Sequence, residues 1–314
     1  MVFIEYIKKY YIKIIFFIIF FIFLYVIYKI LNLYIKYKKL QNSLKIATKN
    51  NLFCTKFESP CDITLNNQLI IPNINITFDK NIAKLCIDMI SRIIAIYLPP
   101  KTENLILYPN MILLETLIYP DKEYPIMGYI TKHSNNIWIT FRGSLDKIDI
   151  TQDFIYKQTD LIVPFHTNPD ILCHQGFMNV YNIFQKQIIE TVNKHNPDKI
   201  IITGHSLGAG IGTIAAYHLG LLNNNVYVYT FASPKVGNIK FANHVNKVTK
   251  CFYRIVNLSD IVPTLPLAVM PNMVDKNKPF IYMHTGKMIS FDQNWMSIEN
   301  NHMIYNYRNF IYNI

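Results

Sequence analysis

The sequence predicts an α/β fold, in which helices flank a mostly parallel sheet, preceded by a transmembrane helix. Two observations support this: strand-like and helix-like segments alternate after residue 80, and an unbroken apolar run fills residues 14–28. A chain of 314 residues can hold one sizeable α/β domain and an appendage. We therefore divide it into an anchor at 1–40, a stalk or peripheral segment at 41–80, and a single α/β domain at 81–314.

The N-terminal apolar run is long enough to cross a bilayer, since about 20 helical residues span roughly 30 Å of hydrocarbon. A cleaved signal peptide is the alternative, but no small-residue cleavage site follows the run, and the first alanine is Ala47. We expect a single-pass membrane protein. Lysines are more numerous after the run, so the positive-inside rule favours a cytoplasmic domain. A disulfide between Cys54 and Cys61 would instead indicate an oxidising compartment.

The positive net charge does not indicate a nucleic-acid-binding protein. Nine lysines and a single acid in residues 1–50 account for +8 of the formal +11, and the remaining 22 basic and 19 acidic residues nearly balance. Lysines beside an apolar run are typical of contact with an anionic membrane surface, whereas nucleic-acid binding requires a basic stripe on a folded face. We therefore expect a membrane partner and no nucleic acid.

Predicted strands and helices alternate along the rest of the chain. An apolar pattern with helical spacing at 82–96 ends before Pro99-Pro100, because proline stops a helix. Buried strands that alternate with helices form parallel βαβ units, and these produce an open sheet with helices on both faces. The predicted strands are 136–141, 199–203, 226–231, 253–256, 280–283 and 287–291, and the further predicted helices are 177–194, 207–222 and 303–312.

The strongest functional signal is Gly204-His205-Ser206-Leu207-Gly208, which lies between a predicted strand and an apolar helix. A bare GxSxG pattern occurs often by chance, but this position makes it specific. A serine on a sharp strand-to-helix turn adopts a strained backbone that exposes its hydroxyl, and glycine on either side leaves room for the turn. The helix that follows directs its positive end towards the hydroxyl. The pattern predicts that Ser206 is a nucleophile.

A serine that attacks a carbonyl needs backbone donors for the oxyanion that forms. Leu207, directly after the nucleophile, provides the first amide. The segment Arg142-Gly143-Ser144 ends the predicted strand 136–141 and has the position expected of the second donor. We expect the amides of Ser144 and Leu207 to converge on one oxygen.

Several motifs in this order resemble the class 3 lipases, the α/β-hydrolase family of fungal and plant triacylglycerol lipases. The resemblance runs from about residue 80 to the C-terminus. The chain differs at Ala232, where glycine is common, and it ends soon after His302. The similar segments are 141–144 with Asp149 and Asp153 behind it, then 174–177, 204–209, 230–238 and 257–266.

The resemblance implies that Asp260 is the acid of a catalytic triad. The residues themselves agree, because Asp260 lies in a loop after the predicted strand 253–256, and Pro263 and Pro266 make that loop rigid. A rigid loop suits a carboxylate that must hold an imidazole in one tautomer. Asp292 is the next candidate.

Two histidines, His284 and His302, follow Asp260 in the order of serine, acid and histidine that this fold requires. His284 follows a strand-like segment, which would hold its ring in the sheet. His302 lies between a polar loop at 292–301 and a closing helix, and the resemblance also favours this position. We predict that His302 is the general base.

The resemblance implies a serine hydrolase that cleaves carboxylic ester bonds of acylglycerols or phospholipids at a membrane surface, with no metal and no organic cofactor. Residues 144–165 occupy the position of the family's lid. The alternative is a catalytically silent, membrane-tethered binding or scaffold protein. A complete set of nucleophile, acid, base and oxyanion donors favours the enzyme, since a silent protein is free to lose any of them.

Overall fold

The computed structural model describes residues 77–97, 105, 107–108, 110–120, 123–145, 156–160, 170–222 and 225–314. The predicted anchor at 1–40 and residues 41–76 of the stalk lie outside these ranges, so the domain boundaries stay predictions. Among the helices within these ranges, none has both the length and the apolar composition needed to cross a membrane.

The elements in chain order are α1 (Lys80–Tyr97), β1 (Ile112–Ile118), β2 (Ile126–His133), β3 (Asn136–Phe141), β4 (Gln158–Asp160), β5 (Leu172–His174), α2 (Gln175–His195), β6 (Lys199–His205), α3 (Leu207–Leu221), β7 (Val226–Phe231), α4 (Ile239–Val248), β8 (Cys251–Asn257), a 3₁₀ turn (Val262–Thr264), β9 (Val269–Met270), β10 (Phe280–Ile281), β11 (Lys287–Phe291), α5 (Ile298–His302) and α6 (Ile304–Asn313).

In the described part of the chain, seven strands form the main sheet in the order β1-β2-β3-β6-β7-β8-β11. The β1–β2 and β2–β3 pairs are antiparallel, and the pairs from β3 to β11 are parallel. Phe141 pairs with Gly204, and His205 pairs with Phe231. The loops after β3, β6 and β7 therefore begin side by side at one edge. The predicted mostly parallel sheet flanked by helices is confirmed.

Each face of the sheet has its own hydrophobic core. Ile200 and Ile202 of β6 pack with residues of α2, α3 and α4, while Ile201 packs on the other face with residues of α1 and α6. This alternation follows from the two-residue period of a strand. Helix α3 is apolar on every side because all but the last of its 15 residues are buried in the protein. Its composition therefore reflects core packing and not contact with lipid.

The structure adds elements to the sequence predictions and corrects others. The antiparallel strands β1 and β2 were not predicted; β1 forms the sheet edge and is only partly buried, so it lacks a fully buried apolar pattern. The predicted strand 280–283 is only β10, which pairs with β9 outside the main sheet. His302 ends the short helix α5 and does not lie in a loop, because Ser297 caps that helix by accepting a hydrogen bond from Asn300 N.

A buried carboxylate joins the first and last helices. Asp88 on α1 accepts hydrogen bonds from Arg308 Nε at 3.0 Å and from the Tyr312 hydroxyl, both on α6, and from the Tyr108 hydroxyl at 3.0 Å. The Asp88 side chain is 3% exposed, so its charge depends on these donors and not on water. This contact holds the C-terminal helix against the domain.

Asp88→Ala should lower the free energy of unfolding by about 3–5 kcal/mol, because the Arg308 guanidinium then remains partly buried without its carboxylate. Urea denaturation followed by circular dichroism measures the change. Asp170→Ala is the matched control, since it removes an exposed ion pair with Lys240 and should cost less than about 1 kcal/mol. Equal losses in the two variants would show that the Asp88 contact does not hold α6.

Candidate active site

Ser206 lies on a sharp turn between β6 and α3. Its backbone has φ 55° and ψ −123°, a conformation that costs a non-glycine residue free energy. The turn is held by the neighbouring strand, because Ser206 N donates to the carbonyl of Phe231 at 3.0 Å. The strain therefore persists in the folded protein, and it directs the side chain away from the strand, as expected for a nucleophile elbow.

The loop after β3 packs directly against this turn. A Cβ on Gly208 would lie 2.2 Å from the carbonyl oxygen of Arg142, and a Cβ on Gly143 would lie 3.3 Å from Ser206 Cβ. The first distance excludes any side chain at position 208. Glycine thus allows two backbone segments to approach each other, and the loop after β3 lies within contact distance of the candidate nucleophile.

A buried arginine fixes the loop that carries Ser144. The fully buried Arg142 side chain donates from Nε to the carbonyl of Ile126 and from Nη1 to the carbonyl of Gly143, both at 2.7 Å. The loop conformation is therefore held by charge-assisted hydrogen bonds. Leu207 is the first residue of α3, where amides carry the positive end of the helix dipole. Ser144 and Leu207, the two predicted oxyanion donors, directly follow Gly143 and Ser206, and a Cβ on Gly143 would lie 3.3 Å from Ser206 Cβ.

Three side chains that are distant in sequence form a continuous chain of hydrogen bonds. His302 Nε2 lies 2.8 Å from Ser206 Oγ, and His302 Nδ1 lies 2.7 Å from Asp260 Oδ2. In the arrangement that suits proton transfer, Nδ1–H donates to the carboxylate and Nε2 accepts from the serine hydroxyl. The Asp260 side chain is fully buried and that of His302 is 23% exposed. The structure thus brings together the three side chains predicted as a triad.

Two further donors hold the Asp260 carboxylate. Oδ1 accepts from Val262 N at 2.9 Å, and Oδ2 accepts from the Tyr307 hydroxyl at 2.6 Å as well as from His302. Burial and the nearby Asp260 raise the pKa of Tyr307, so this hydroxyl stays protonated and acts as a donor. Because both oxygens are held, the carboxylate presents one fixed lone-pair direction to the imidazole.

Two buried asparagines attach the histidine segment to the acid loop. Asn301 Nδ2 donates to the carbonyl of Ser259, and Asn257 Nδ2 donates to the carbonyl of Asn301, at 2.9 and 3.0 Å. Asn257 also exchanges two hydrogen bonds with the backbone of Gln293, each 2.9 Å long. These bonds span the polar segment before His302 and fix it next to Asp260.

His205 supports the candidate base from the other side. Its Nε2 donates to the carbonyl of His302 at 3.0 Å, and the two rings are 4.8 Å apart. Burial, reinforced by the nearby His302, holds the pKa of His205 well below its usual value of 6.5. His205 is therefore neutral at pH 7 and acts as a hydrogen-bond donor that positions the backbone of His302.

His284, the other candidate for the base, contacts the acid loop and not the serine. Its Nε2 donates to the carbonyl of Pro263 at 2.7 Å. Burial, together with the positive charges of Arg254 and Lys235, lowers the pKa of His284 to about 3. A ring that is neutral and already hydrogen-bonded to the backbone suits a structural role.

Candidate metal ligands are not grouped in the described residues, which contain no cluster of three or more His, Cys, Asp or Glu side chains arranged to bind an ion. Cys86, Cys173 and Cys251 are free thiols in the interior, and burial raises the pKa of each. Cys54, Cys61 and most of the predicted lid lie outside the described residues.

Sequence reasoning missed the residues that support the site. The roles of Asn257, Asn301 and Tyr307 depend on contacts between segments 36 to 47 residues apart. One signal was present: Asn301 directly precedes the candidate base in a segment rich in asparagine. Asparagine is also common in ordinary turns, so the composition alone does not distinguish a segment that holds the site together from an ordinary loop.

Comparisons with known proteins match the part of the chain that contains Ser206 and Asp260. Residues 138–270 match the family model described as Lipase (class 3). A lipase of Rhizomucor miehei is 31% identical over 181 residues, which cover 55% of this chain and 45% of the relative. A secreted mono- and diacylglycerol lipase of Fusarium solani is 37% identical over 156 residues, which cover 48% of this chain and 42% of the relative. The chain thus spans about half the length of these curated relatives.

Solved structures show the same fold. A lipase of Yarrowia lipolytica superposes with a TM-score of 0.55 and 23% identity, over 69% of this chain and 81% of that chain. The triacylglyceride lipase of Rhizomucor miehei superposes with a TM-score of 0.53 and 22% identity, over 68% and 81%. Both likenesses show the α/β-hydrolase fold of lipases.

The predicted location, a single-pass membrane protein with a cytoplasmic domain, is wrong. The described residues contain no helix able to cross a membrane. The relatives of Fusarium solani and Penicillium cyclopium are named secreted lipases.

Tyr307→Phe should shift the acid limb of the pH–activity profile to higher pH by several tenths of a unit and lower kcat by less than about tenfold. The carboxylate loses one donor and then interacts more strongly with the protonated His302 ring. Rates on a soluble ester between pH 4 and 9 measure this. Tyr305→Phe is the control, and an identical profile in both variants would contradict a role for the Tyr307 hydroxyl.

Proposed function

Because this chain belongs to the class 3 lipase family, we propose that its α/β domain hydrolyses carboxylic ester bonds of lipids with a serine triad. The observation that carries the proposal is the unbroken hydrogen-bond chain from Ser206 Oγ through His302 to Asp260. This arrangement activates a hydroxyl that is otherwise a weak nucleophile at neutral pH.

In the first half of the proposed reaction, Ser206 Oγ attacks the ester carbonyl carbon while His302 Nε2 takes the hydroxyl proton. The carbonyl oxygen becomes an oxyanion, and the amides of Ser144 and Leu207 stabilise it; losing one such donor typically costs about 10²- to 10³-fold in rate. The intermediate then breaks its bond to the alcohol oxygen, which leaves with the proton from His302. The product is an acyl ester on Ser206.

In the second half, water replaces the alcohol. His302 Nε2 takes a proton from the water as its oxygen attacks the acyl carbon, and the same amides stabilise the second oxyanion. Collapse of this intermediate releases the fatty acid and returns the proton to Ser206. Asp260 keeps the imidazole in the tautomer with its proton on Nδ1 and stabilises the imidazolium that forms twice in the cycle.

The proposed substrates are acylglycerols and phospholipids. Relatives of Fusarium solani and Arabidopsis thaliana are named as a mono- and diacylglycerol lipase and a phospholipase A1. The exposed side chains of Leu258 and Ile261, on either side of Asp260, give the acid loop an apolar rim suited to an acyl chain. We propose that the enzyme acts on lipid at a membrane or other lipid–water surface.

Ser206→Ala should reduce turnover of a lipid ester by at least about 10⁴-fold without changing the unfolding midpoint substantially, because the hydroxyl bonds to His302 and the turn itself is held by the backbone of Phe231. Release of fatty acid measures turnover, and thermal denaturation measures folding. The control is Ser91→Ala, which removes a buried hydroxyl of α1 that bonds to the carbonyl of Ile87 in its own helix. Full activity in a folded Ser206→Ala protein would end the hydrolase proposal.

His302→Ala should lower kcat by a factor similar to Ser206→Ala, whereas His284→Ala should lower kcat by less than about tenfold. The first substitution removes the proton acceptor, and the second removes only the hydrogen bond to Pro263, worth about 1 kcal/mol of stability. Steady-state kinetics on folded variants compare them. The reverse ranking would identify His284 as the base.

A further inference from the structure

The hairpin of β9 and β10 presents an unusual apolar tip. We call residues 271–279, between the two strands, the hairpin tip. Val274 is 89% exposed and Met273 is 76% exposed, the highest values among the large hydrophobic side chains of the described residues. Single exposed apolar residues are common, but two neighbouring ones at the end of a projecting hairpin favour a contact surface.

The tip is an ordered turn, so the exposure of these side chains is built into its conformation. Asn272 Oδ1 accepts from Val274 N at 3.0 Å and from Asp275 N at 3.1 Å. Asn272 Nδ2 donates to the carbonyl of Lys278 at 3.0 Å, and Lys278 N donates to the carbonyl of Asp275 at 3.0 Å. The loop therefore cannot hide its apolar side chains without breaking its own hydrogen bonds.

Two basic side chains follow the apolar pair in the hairpin tip. Lys276 and Lys278 are exposed, and Lys278 makes a loose ion pair of 3.9 Å with Asp275. Long lysine side chains can reach lipid headgroups while neighbouring apolar residues enter the acyl boundary. This combination fits a lipid surface with anionic headgroups better than the apolar face of another protein.

The base of the hairpin is attached to the acid loop. Tyr282 N donates to the carbonyl of Ala268 at 2.9 Å, and His284 Nε2 reaches the carbonyl of Pro263 at 2.7 Å. Lys235 Nζ donates to the carbonyl of Pro266 at 3.0 Å. The hairpin is therefore a continuation of the loop that holds the triad acid. Along this stretch of chain the exposed large hydrophobics are Leu258, Ile261, Leu267, Val269, Met273 and Val274.

We propose that the hairpin tip docks the domain onto a lipid–water surface that carries anionic headgroups. Met273 and Val274 enter the acyl boundary, Lys276 and Lys278 contact the headgroups, and the apolar rim of the acid loop comes to lie against the lipid. This inference rests on the proposed lipid hydrolase function, because it explains how the same site reaches lipid molecules that remain in a membrane or other lipid–water surface.

A tryptophan placed at the tip tests the contact directly. Val274→Trp is made in the full chain with Ser206→Ala, which prevents lipid hydrolysis, and vesicles of phosphatidylcholine and phosphatidylglycerol with brominated acyl chains are added. The brominated chains should quench the fluorescence of the introduced tryptophan by more than half. The matched control is Ile112→Trp on β1, also an exposed apolar site (64%) but at the opposite edge of the sheet from β11, and it should be quenched little.

Absent or equal quenching at positions 274 and 112, with protein bound to the vesicles, would overturn the proposal. Undiminished quenching on phosphatidylcholine vesicles without phosphatidylglycerol would overturn the part that assigns anionic headgroups. A lipid-independent blue shift at position 274, with a doubled mass by light scattering, would identify a second copy of the chain as the occupant and also overturn it.

A second experiment separates this inference from the proposed function. With Ser206 intact, replacing Met273 and Val274 together by serine should lower hydrolysis of vesicle lipid by at least roughly tenfold, because both side chains lose their apolar burial. Hydrolysis of a soluble short-chain ester should stay within about twofold. The control replaces Ile112 and Ile118 by serine and should change neither rate. Failure of the parent protein on both substrates would reject the proposed function, whereas equal loss on both by the tip variant would reject docking.

Discussion

The strained backbone of Ser206 is the constraint on which the site depends. A positive φ at this residue requires support from the neighbouring strand, and the carbonyl of Phe231 provides it. The loop after β3 must also approach closely, and Gly208 allows this approach. The same approach brings the Arg142 loop against the elbow. Nucleophile, helix N-terminus and second oxyanion loop are therefore consequences of one local packing arrangement at the carboxyl edge of β3 and β6.

The acid and the base come from a different part of the chain, and polar contacts bring them to the elbow. Asp260 follows β8, while His302 ends a short helix after β11. Asn257 and Asn301 bind the two segments to each other, and Tyr307 of α6 reaches back to Asp260. Buried and fully bonded polar networks of this kind fix a single geometry, because each unpaired member would cost free energy.

The parallel part of the sheet and the triad candidates could be predicted from the sequence, because they have local signals: apolar strands bounded by turns, glycines beside Ser206, prolines after Asp260. The antiparallel strands β1 and β2 and the supporting side chains could not. β1 is a partly buried edge strand without a fully buried apolar pattern. The supporting side chains bond to partners distant in sequence, so an isolated asparagine or tyrosine does not indicate which hydrogen bond it will form. The location was mispredicted for a different reason, since the hydropathy and charge of a segment do not show where the protein resides.

Covalent labelling shows whether Ser206 is an activated nucleophile. The folded chain is treated with a fluorophosphonate, and the modified peptide is identified by mass spectrometry. We expect one rapid adduct, on Ser206, whose rate of formation falls by several orders of magnitude in His302→Ala. No adduct on the folded protein, or an adduct on another serine that forms equally fast without His302, would contradict this expectation.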